Sequence, residues 1–258
     1  MSLNAATIQF LGIACAAGQG GSRAAGSSPD PVHGQMMSFD PRFPDRRVFL
    51  AGLLLATQAA AAPRAQLKPP VVTVLGDSIT AGLGLPARDA MPAQLQAALT
   101  RMGVGATVRA AGVSGDTSGG GLARVNFSVA PDTALCVVAL GGNDLLQGIE
   151  PRVTRANLRA ILQSLRQRRI AVVLVGVGAP PLIGAAYARE FNALYPALAR
   201  EFSAPLYSDI LAGVRGSRRL MQGDGIHPNA AGARIIGDRL APLVARALKA
   251  IPTQTAAR

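Results

Sequence analysis

The stretch VVTVLGDSITAGLG, residues 71–84, decides the fold. Its first half is an apolar, β-branched run stopped by Gly76, which is typical of a short buried strand. Helical spacing begins at Met91, so the Gly76-Asp77-Ser78 turn lies between a strand and a helix. In open α/β sheets, ligands bind at this carboxyl end of a strand. The stretch therefore offers Ser78 as a nucleophile, and the alternative is that Asp77 and Ser78 only cap the following helix.

Further apolar runs downstream have the length of buried strands, at residues 107–110, 134–140, 170–177 and 205–207. Helical patterns alternate with them, at residues 91–102, 158–165, 191–202 and 235–248. Strands that alternate with helices indicate a mainly parallel sheet covered by helices on both faces. We find no internal repeat and no second domain, so residues 63–258 are predicted to form one α/β domain.

Two more polar loops follow predicted strands, Ser114-Gly115-Asp116 and Gly142-Asn143-Asp144. If the strands are parallel, these loops emerge at the same sheet edge as Ser78. Gly115 lets its backbone N–H approach a substrate closely because it has no Cβ, and the Asn143 amide can donate to the same oxygen. Together with the Ser78 N–H they would form an oxyanion hole. The alternative is that Gly115 and Asn143 are ordinary turn or cap residues.

The segment Asp224-Gly-Ile-His227-Pro-Asn lies between the fifth strand and the last helix. A residue before proline avoids the helical region, so His227 is expected on a loop. Asp224 is close enough in sequence to bind the imidazole Nδ1–H, which leaves Nε2 free to take the Ser78 proton. The alternative is a histidine in a surface turn. His33 is the other histidine, in the front part of the chain.

Composition narrows the function classes. The chain has 258 residues, 49% of them hydrophobic, and a formal net charge of +12 that comes almost wholly from arginine. This apolar content is typical of a globular protein. The arginines are scattered, and no basic run is interleaved with aromatic residues as in proteins that bind single-stranded nucleic acid. We therefore predict a basic solvated surface and no nucleic-acid partner.

The front of the chain differs from the rest. Residues 1–35 are rich in glycine, alanine and serine and are expected to be a disordered or untranslated leader. Residues 36–62 have a paired arginine, Arg46-Arg47, a short apolar stretch and then small residues, which is the pattern of a cleaved, twin-arginine-like signal peptide. The alternative is an uncleaved amphipathic leader or membrane anchor. Cleavage would leave Cys136 as a lone, buried core cysteine in a periplasmic or secreted protein.

Five segments carry a resemblance to a known family: LGDSITAG, SGDTSGGGLAR, LGGNDLLQG, FNALYPALAREF and DGIHPN. In order and placement they resemble the SGNH (GDSL) hydrolases, and within them a bacterial branch of thioesterases and lysophospholipases. The resemblance implies a three-layer α/β/α sandwich with a five-stranded parallel sheet. It also implies a Ser78, Asp224 and His227 triad, with Gly115 and Asn143 in the oxyanion hole. Residues 178–184, GAPPLIG, depart from the branch because they are more apolar, which leaves the preferred acyl chain length open.

The resulting hypothesis is a serine esterase or thioesterase for short to medium acyl chains, with lysophospholipids among its candidate substrates. We expect a monomer that binds a small-molecule ester or thioester, needs no cofactor or metal, and makes transient contact with a lipid or membrane surface. One alternative is a non-catalytic α/β ligand-binding module, whose glycine-rich turns would cradle a phosphate. The other is metal-dependent hydrolysis, for which the chain offers few histidine and cysteine ligands.

Overall fold

The computed structural model describes residues 68–252. In this part of the chain five strands form one sheet, in which every paired neighbour is parallel. The strand order is β2-β1-β3-β4-β5. The strands are β1 (Val71–Gly76), β2 (Thr107–Gly112), β3 (Thr133–Ala139), β4 (Ala171–Val175) and β5 (Leu206–Tyr207). Parallel pairing brings the carboxyl ends of all five strands to one edge of the sheet.

Seven α-helices and two short 3₁₀ turns connect the described strands. The helices are α1 (Ser78–Ala81), α2 (Met91–Arg101), α3 (Ser118–Ser128), α4 (Gly142–Leu146), α5 (Pro151–Gln167), α6 (Ala185–Phe202) and α7 (Ala230–Lys249). The 3₁₀ turns are Ala87–Asp89 and Pro181–Ile183. Among residues 68–252, no helix is both long and apolar enough to cross a membrane.

The core consists of two apolar clusters, one on each face of the sheet. Side chains of a strand point alternately to the two faces, and β3 shows this clearly. Leu135 and Val137 pack with helices α2 and α7, whereas Cys136 and Val138 pack with α3, α5 and α6. The fold is therefore a three-layer α/β/α sandwich, as the sequence predicts. Cys136 is fully buried, and burial raises the pKa of its thiol to about 12.

The structure differs from the sequence prediction in three places. Strand β2 is not a buried apolar strand but a partly exposed edge strand, because β1 covers only one of its sides. Helices α1, α3 and α4 lie in segments that were expected to be loops. The predicted strand ends are also displaced by one or two residues. The predictions for residues 1–35 and 36–62 fall outside the described residues.

Candidate active site

Ser78 lies directly beyond the carboxyl end of β1, as the first residue of α1. Asp77 caps this short helix, since its Oδ1 accepts the Ile79 backbone N–H at 3.1 Å. The proposed capping therefore exists, but it involves the Asp77 side chain and leaves the Ser78 hydroxyl available. As the first residue of a helix, Ser78 also has a backbone N–H without an intrahelical acceptor.

Two glycines allow α1 to pack tightly on the strand ends. A Cβ at Gly76 would lie 2.5 Å from the Ala139 carbonyl oxygen, and one at Gly112 would lie 2.4 Å from the backbone nitrogen of Ala81. The Thr80 hydroxyl donates to the Asp77 carbonyl at 2.8 Å and fills the space between the two glycines. This close packing fixes the backbone that presents Ser78.

His227 and Asp224 complete a hydrogen-bonded chain that starts at Ser78. The Ser78 Oγ and His227 Nε2 atoms are 2.9 Å apart. On the other side of the ring, His227 Nδ1 lies 2.6 Å from Asp224 Oδ2. Asp224 Oδ1 also accepts the backbone N–H groups of Ile226 and His227, at 2.9 and 3.0 Å. The structure thus brings together all three residues that the sequence predicts for a triad.

The histidine loop is tied to the α1 side of the site through Gln222. Its amide Nε2 donates to the Leu83 carbonyl at 2.8 Å and to the Pro228 carbonyl at 3.0 Å. Its backbone N–H donates to the His227 carbonyl at 2.8 Å. These bonds hold the imidazole opposite Ser78 although the two residues are far apart in sequence.

The two carboxylates near the site have opposite pKa shifts. The hydrogen bond from His227, supported by the two backbone N–H groups, lowers the pKa of Asp224 to about 2. Burial raises the pKa of Asp77 to about 6, and the Ile79 N–H and the nearby His227 oppose this rise only in part. The pKa of Asp224 lies far below neutral pH, so this carboxylate is fully ionised behind the imidazole at pH 7.

The Gly115 loop and Asn143 are directly linked. The Asn143 side-chain amide donates to the Asp116 carbonyl at 2.8 Å, which leaves its second N–H for another acceptor. Gly115 has a φ of +84°, which L side chains rarely adopt, and no atom lies within 4 Å of where a Cβ would stand. Its backbone therefore borders open space. Asn143 lies in helix α4, not in the expected loop.

Sequence reasoning missed two charged residues that hold these segments. Asp144 is fully buried and accepts the Ser118 backbone N–H at 2.7 Å and the Thr154 hydroxyl at 3.0 Å. It also accepts the Ser118 hydroxyl. This carboxylate connects the starts of helices α3, α4 and α5. Asp144 stands in the quoted GGND loop, so its position was visible, but its burial depends on contacts between distant segments.

Arg124 is the second missed residue. Its guanidinium donates to the Gly76 carbonyl at the end of β1 and the Ala111 carbonyl of β2, both at 2.8 Å. Its Nε donates to Asp116 in the Gly115 loop at 2.5 Å. One mostly buried side chain thus joins the two strand ends to the loop that accepts the Asn143 amide.

A pocket of about 200 Å³ opens beside the Ser78 hydroxyl. The polar part of its lining comes from Asp77, Ser78, Asn143 and His227, and Arg215 adds a cation. The rest of the lining is mostly aliphatic, from Ile79, Leu145, Leu146, Val177, Pro180, Leu211 and Ile226. The expected apolar groove is therefore present, and the apolar segment 178–184 contributes to it through Gly178 and Pro180. Within residues 68–252, no three histidine, cysteine or acidic side chains are grouped as metal ligands.

Comparison with known proteins places this geometry in context. The model of the GDSL-like lipase/acylhydrolase family matches residues 74–235. Esterase TesA of Pseudomonas aeruginosa is 40% identical over 187 residues, which cover 71% of this chain and 90% of that protein. Thioesterase 1/protease 1/lysophospholipase L1 of Escherichia coli is 37% identical over 214 residues, or 81% of this chain and 98% of that protein.

Solved structures agree with the family match. The crystal structure of TesA superposes with a TM-score of 0.65 at 38% identity, covering 69% of this chain and 99% of that one. AlinE4, an SGNH-hydrolase family esterase, superposes with a TM-score of 0.60 at 41% identity, covering 71% of this chain and 99% of that one. The expected three-layer fold and family resemblance are both confirmed.

Proposed function

Because the chain belongs to the GDSL-like lipase/acylhydrolase family, we propose that it is a serine hydrolase of carboxylic esters and acyl thioesters. Ser78 is the nucleophile, His227 the general base and then the general acid, and Asp224 the carboxylate that orients the ring. The observation that carries this proposal is the hydrogen-bonded chain from Asp224 Oδ2 through the imidazole to Ser78 Oγ, at 2.6 and 2.9 Å.

In the first half of the reaction, Ser78 Oγ attacks the acyl carbonyl carbon while its proton passes to His227 Nε2. The Asp224 carboxylate keeps the Nδ1–H tautomer and stabilises the imidazolium that forms. The tetrahedral intermediate collapses, and His227 returns the proton to the departing alkoxide or thiolate. Water then attacks the acyl-enzyme with the same base, and Ser78 regains its proton as the acid leaves.

Negative charge develops on the former carbonyl oxygen during both attacks. We assign its stabilisation to the backbone N–H groups of Ser78 and Gly115 and to the second N–H of the Asn143 amide. Donors fixed before the reaction cost no reorganisation when the charge appears. The Asn143–Asp116 hydrogen bond supports this role, since it fixes the amide plane against the Gly115 loop.

Turnover of a water-soluble, short-chain chromogenic ester tests the triad. We expect Ser78→Ala and His227→Ala to lower kcat by about 10⁴-fold or more, with unchanged circular dichroism. The matched control is Ser208→Ala, which removes the hydroxyl of an exposed serine outside the pocket lining. Full turnover by either triad variant would refute the proposal. A fluorophosphonate should label the wild-type chain and not Ser78→Ala, whereas a non-catalytic binding module would not react with it. Excess chelator should leave turnover unchanged, because the proposed mechanism uses no metal ion.

The aliphatic pocket supports a substrate with a short to medium acyl chain. Related proteins are named as esterase, thioesterase, lysophospholipase and arylesterase, which is a range of leaving groups joined to an acyl group. We propose the same range here, because the polar lining of the pocket includes the proposed nucleophile and base and the remaining lining is mostly apolar. A series of esters and thioesters of graded acyl length measures where kcat/KM reaches its maximum.

We further propose that the enzyme acts as an exported monomer. The paired arginines, short apolar stretch and small residues between positions 36 and 62 support export to the periplasm or the medium. Cell fractionation of the full chain, compared with a chain in which Arg46 and Arg47 are replaced by lysine, tests twin-arginine export.

A further inference from the structure

Large aliphatic side chains are exposed around the mouth of the pocket. Leu146 and Ile226 line the pocket and are 62% and 43% exposed, respectively. Leu182 and Ile183 follow the pocket-lining Pro180 and are 96% and 46% exposed. We call these four residues the apolar rim. Contiguous exposed apolar patches on soluble proteins mark sites of interaction.

The segment that presents Leu182 is held in place. The Asn192 amide bonds both backbone groups of Ala179, accepting from its N–H at 2.8 Å and donating to its carbonyl at 2.9 Å. The next residues form the 3₁₀ turn Pro181–Ile183, with two prolines at its start. Leu182 therefore points outward on a fixed turn, although the Leu182 side chain itself contacts little of the domain.

Arginines accompany one part of the rim. Arg215 lines the pocket together with Leu146 and Ile226. The segment between β5 and α7 that carries Ile226 also carries exposed Arg215, Arg218 and Arg219. Arg215 pairs with Asp209 at 3.1 Å, whereas in the described part of the chain Arg218 and Arg219 form no ion pair. Apolar side chains flanked by arginine are the combination that binds the interface of an anionic membrane.

We propose that the apolar rim docks on the surface of an anionic lipid bilayer, so that the pocket opens towards the acyl chains of the lipid. This inference rests on the proposed function, because it gives the acyl pocket a source of substrate. Two rim residues, Leu146 and Ile226, line the pocket itself, so a second copy of the chain bound there would cover the site. A bilayer instead presents acyl groups to the pocket. Leu182 and Ile183 enter the acyl boundary, and the arginines contact the phosphates.

The absence of tryptophan from the chain allows a direct test. In full-length Ser78→Ala protein, Leu182→Trp and Phe127→Trp each introduce a single tryptophan. Phe127 is 93% exposed on α3 and lies outside the rim, so it is a matched control. The vesicles contain one third phosphatidylglycerol in phosphatidylcholine. We expect the tryptophan fluorescence emission to shift to shorter wavelength, and to be quenched by brominated lipid, only when the tryptophan is at position 182. The proposal would be overturned if the emission of the tryptophan at position 182 did not shift, or if the tryptophans at both positions shifted equally.

Partitioning measures the contribution of the rim. Burial of one leucine side chain changes a partition coefficient by about tenfold or more, so Leu182→Asp should weaken vesicle binding by that factor. Phe127→Asp should leave binding unchanged, and phosphatidylcholine alone should bind less than the anionic vesicles. If sedimentation instead shows a dimer that Leu182→Asp dissociates, the rim is a protein interface and the proposal fails.

The soluble ester keeps the two hypotheses separate. Leu182 does not line the pocket, so Leu182→Asp should turn over the monomeric ester at the wild-type rate. Normal ester turnover without vesicle binding refutes the docking surface alone. Vesicle binding without ester turnover in the wild-type chain refutes the proposed function and leaves the docking surface with no substrate to deliver.

Discussion

Asp77 provides a stability prediction that depends on pH. The side chain is 5% exposed, and burial raises its pKa from an ordinary 3.8 to about 6. The folded chain therefore holds this proton more tightly than the unfolded chain. Between those two pKa values the stability falls as pH rises, and above about pH 6 the folded state carries a buried, ionised carboxylate. At pH 8 this difference in pKa lowers the free energy of unfolding by about 3 kcal/mol relative to acidic pH, where Asp77 is protonated in both states.

Asp77→Asn should remove most of this cost. Asparagine caps helices as well as aspartate does, and its Oδ1 can keep the bond from the Ile79 N–H. We expect the free energy of unfolding to rise by about 2–3 kcal/mol at pH 8 and by only about 0.5 kcal/mol at pH 4. Urea unfolding of the full chain, followed by circular dichroism at both pH values, measures the two differences.

A control of opposite sign accompanies this test. Asp132 is an exposed carboxylate whose pKa is lowered by the hydrogen bond from Arg109, so Asp132→Asn should cost a little stability at pH 8. The reasoning is refuted if Asp77→Asn fails to stabilise at pH 8, or if it stabilises equally at both pH values. In the second case, the burial of charge would not be the cause.

Two further substitutions test the supports of the site. Arg124→Met removes the donor shared by β1, β2 and Asp116. We expect stability to fall by about 3 kcal/mol and kcat to fall with little change in KM, which urea unfolding and ester kinetics measure. Arg109→Met, which breaks only a surface ion pair with Asp132, should cost less stability. An Arg124→Met enzyme with wild-type kcat would show that the strand ends need no such tie. Tyr195→Phe removes a buried donor to the Leu140 carbonyl at 2.9 Å and should cost about 1–2 kcal/mol, measured by the urea midpoint. No loss relative to wild type would contradict that assignment.

Strands β1, β3 and β4 were predictable because each is a short apolar run with a glycine or a polar turn shortly after its end. The same logic placed Ser78, Gly115 and Asn143 at one edge, since parallel pairing aligns Gly76 of β1 with Gly112 of β2 and Ala139 of β3. The spacing of Asp224 and His227 allowed their contact, and the proline that follows predicted a loop, whereas the choice between a triad and a surface turn depended on the family resemblance. The sequence pattern did not predict the partial exposure of β2. This exposure follows from the position of β2 at the edge of the sheet.

Helix α3 shows why other parts could not be predicted. Three consecutive glycines near its start argue against a helix, because glycine is the poorest helix former after proline. In the fold, a Cβ at Gly121 would lie 2.2 Å from Leu140, and one at Gly120 would lie 2.6 Å from Asp116. Gly120 and Gly121 thus pack closely against Asp116 of the Gly115 loop and Leu140 directly after β3. The Thr117 hydroxyl starts the helix by accepting the Gly120 N–H. Such contacts between distant segments leave no periodic signal.

The Ser78–His227 pair joins residues 149 positions apart, one delivered by the first strand and the other by the loop before the last helix. A ribosome completes most of the domain before it reaches His227, the proposed general base. Under the proposed mechanism, a polypeptide that ends before this loop holds a Ser78 hydroxyl with no base beside it. The proposed site is therefore complete only when nearly the whole domain has been synthesised.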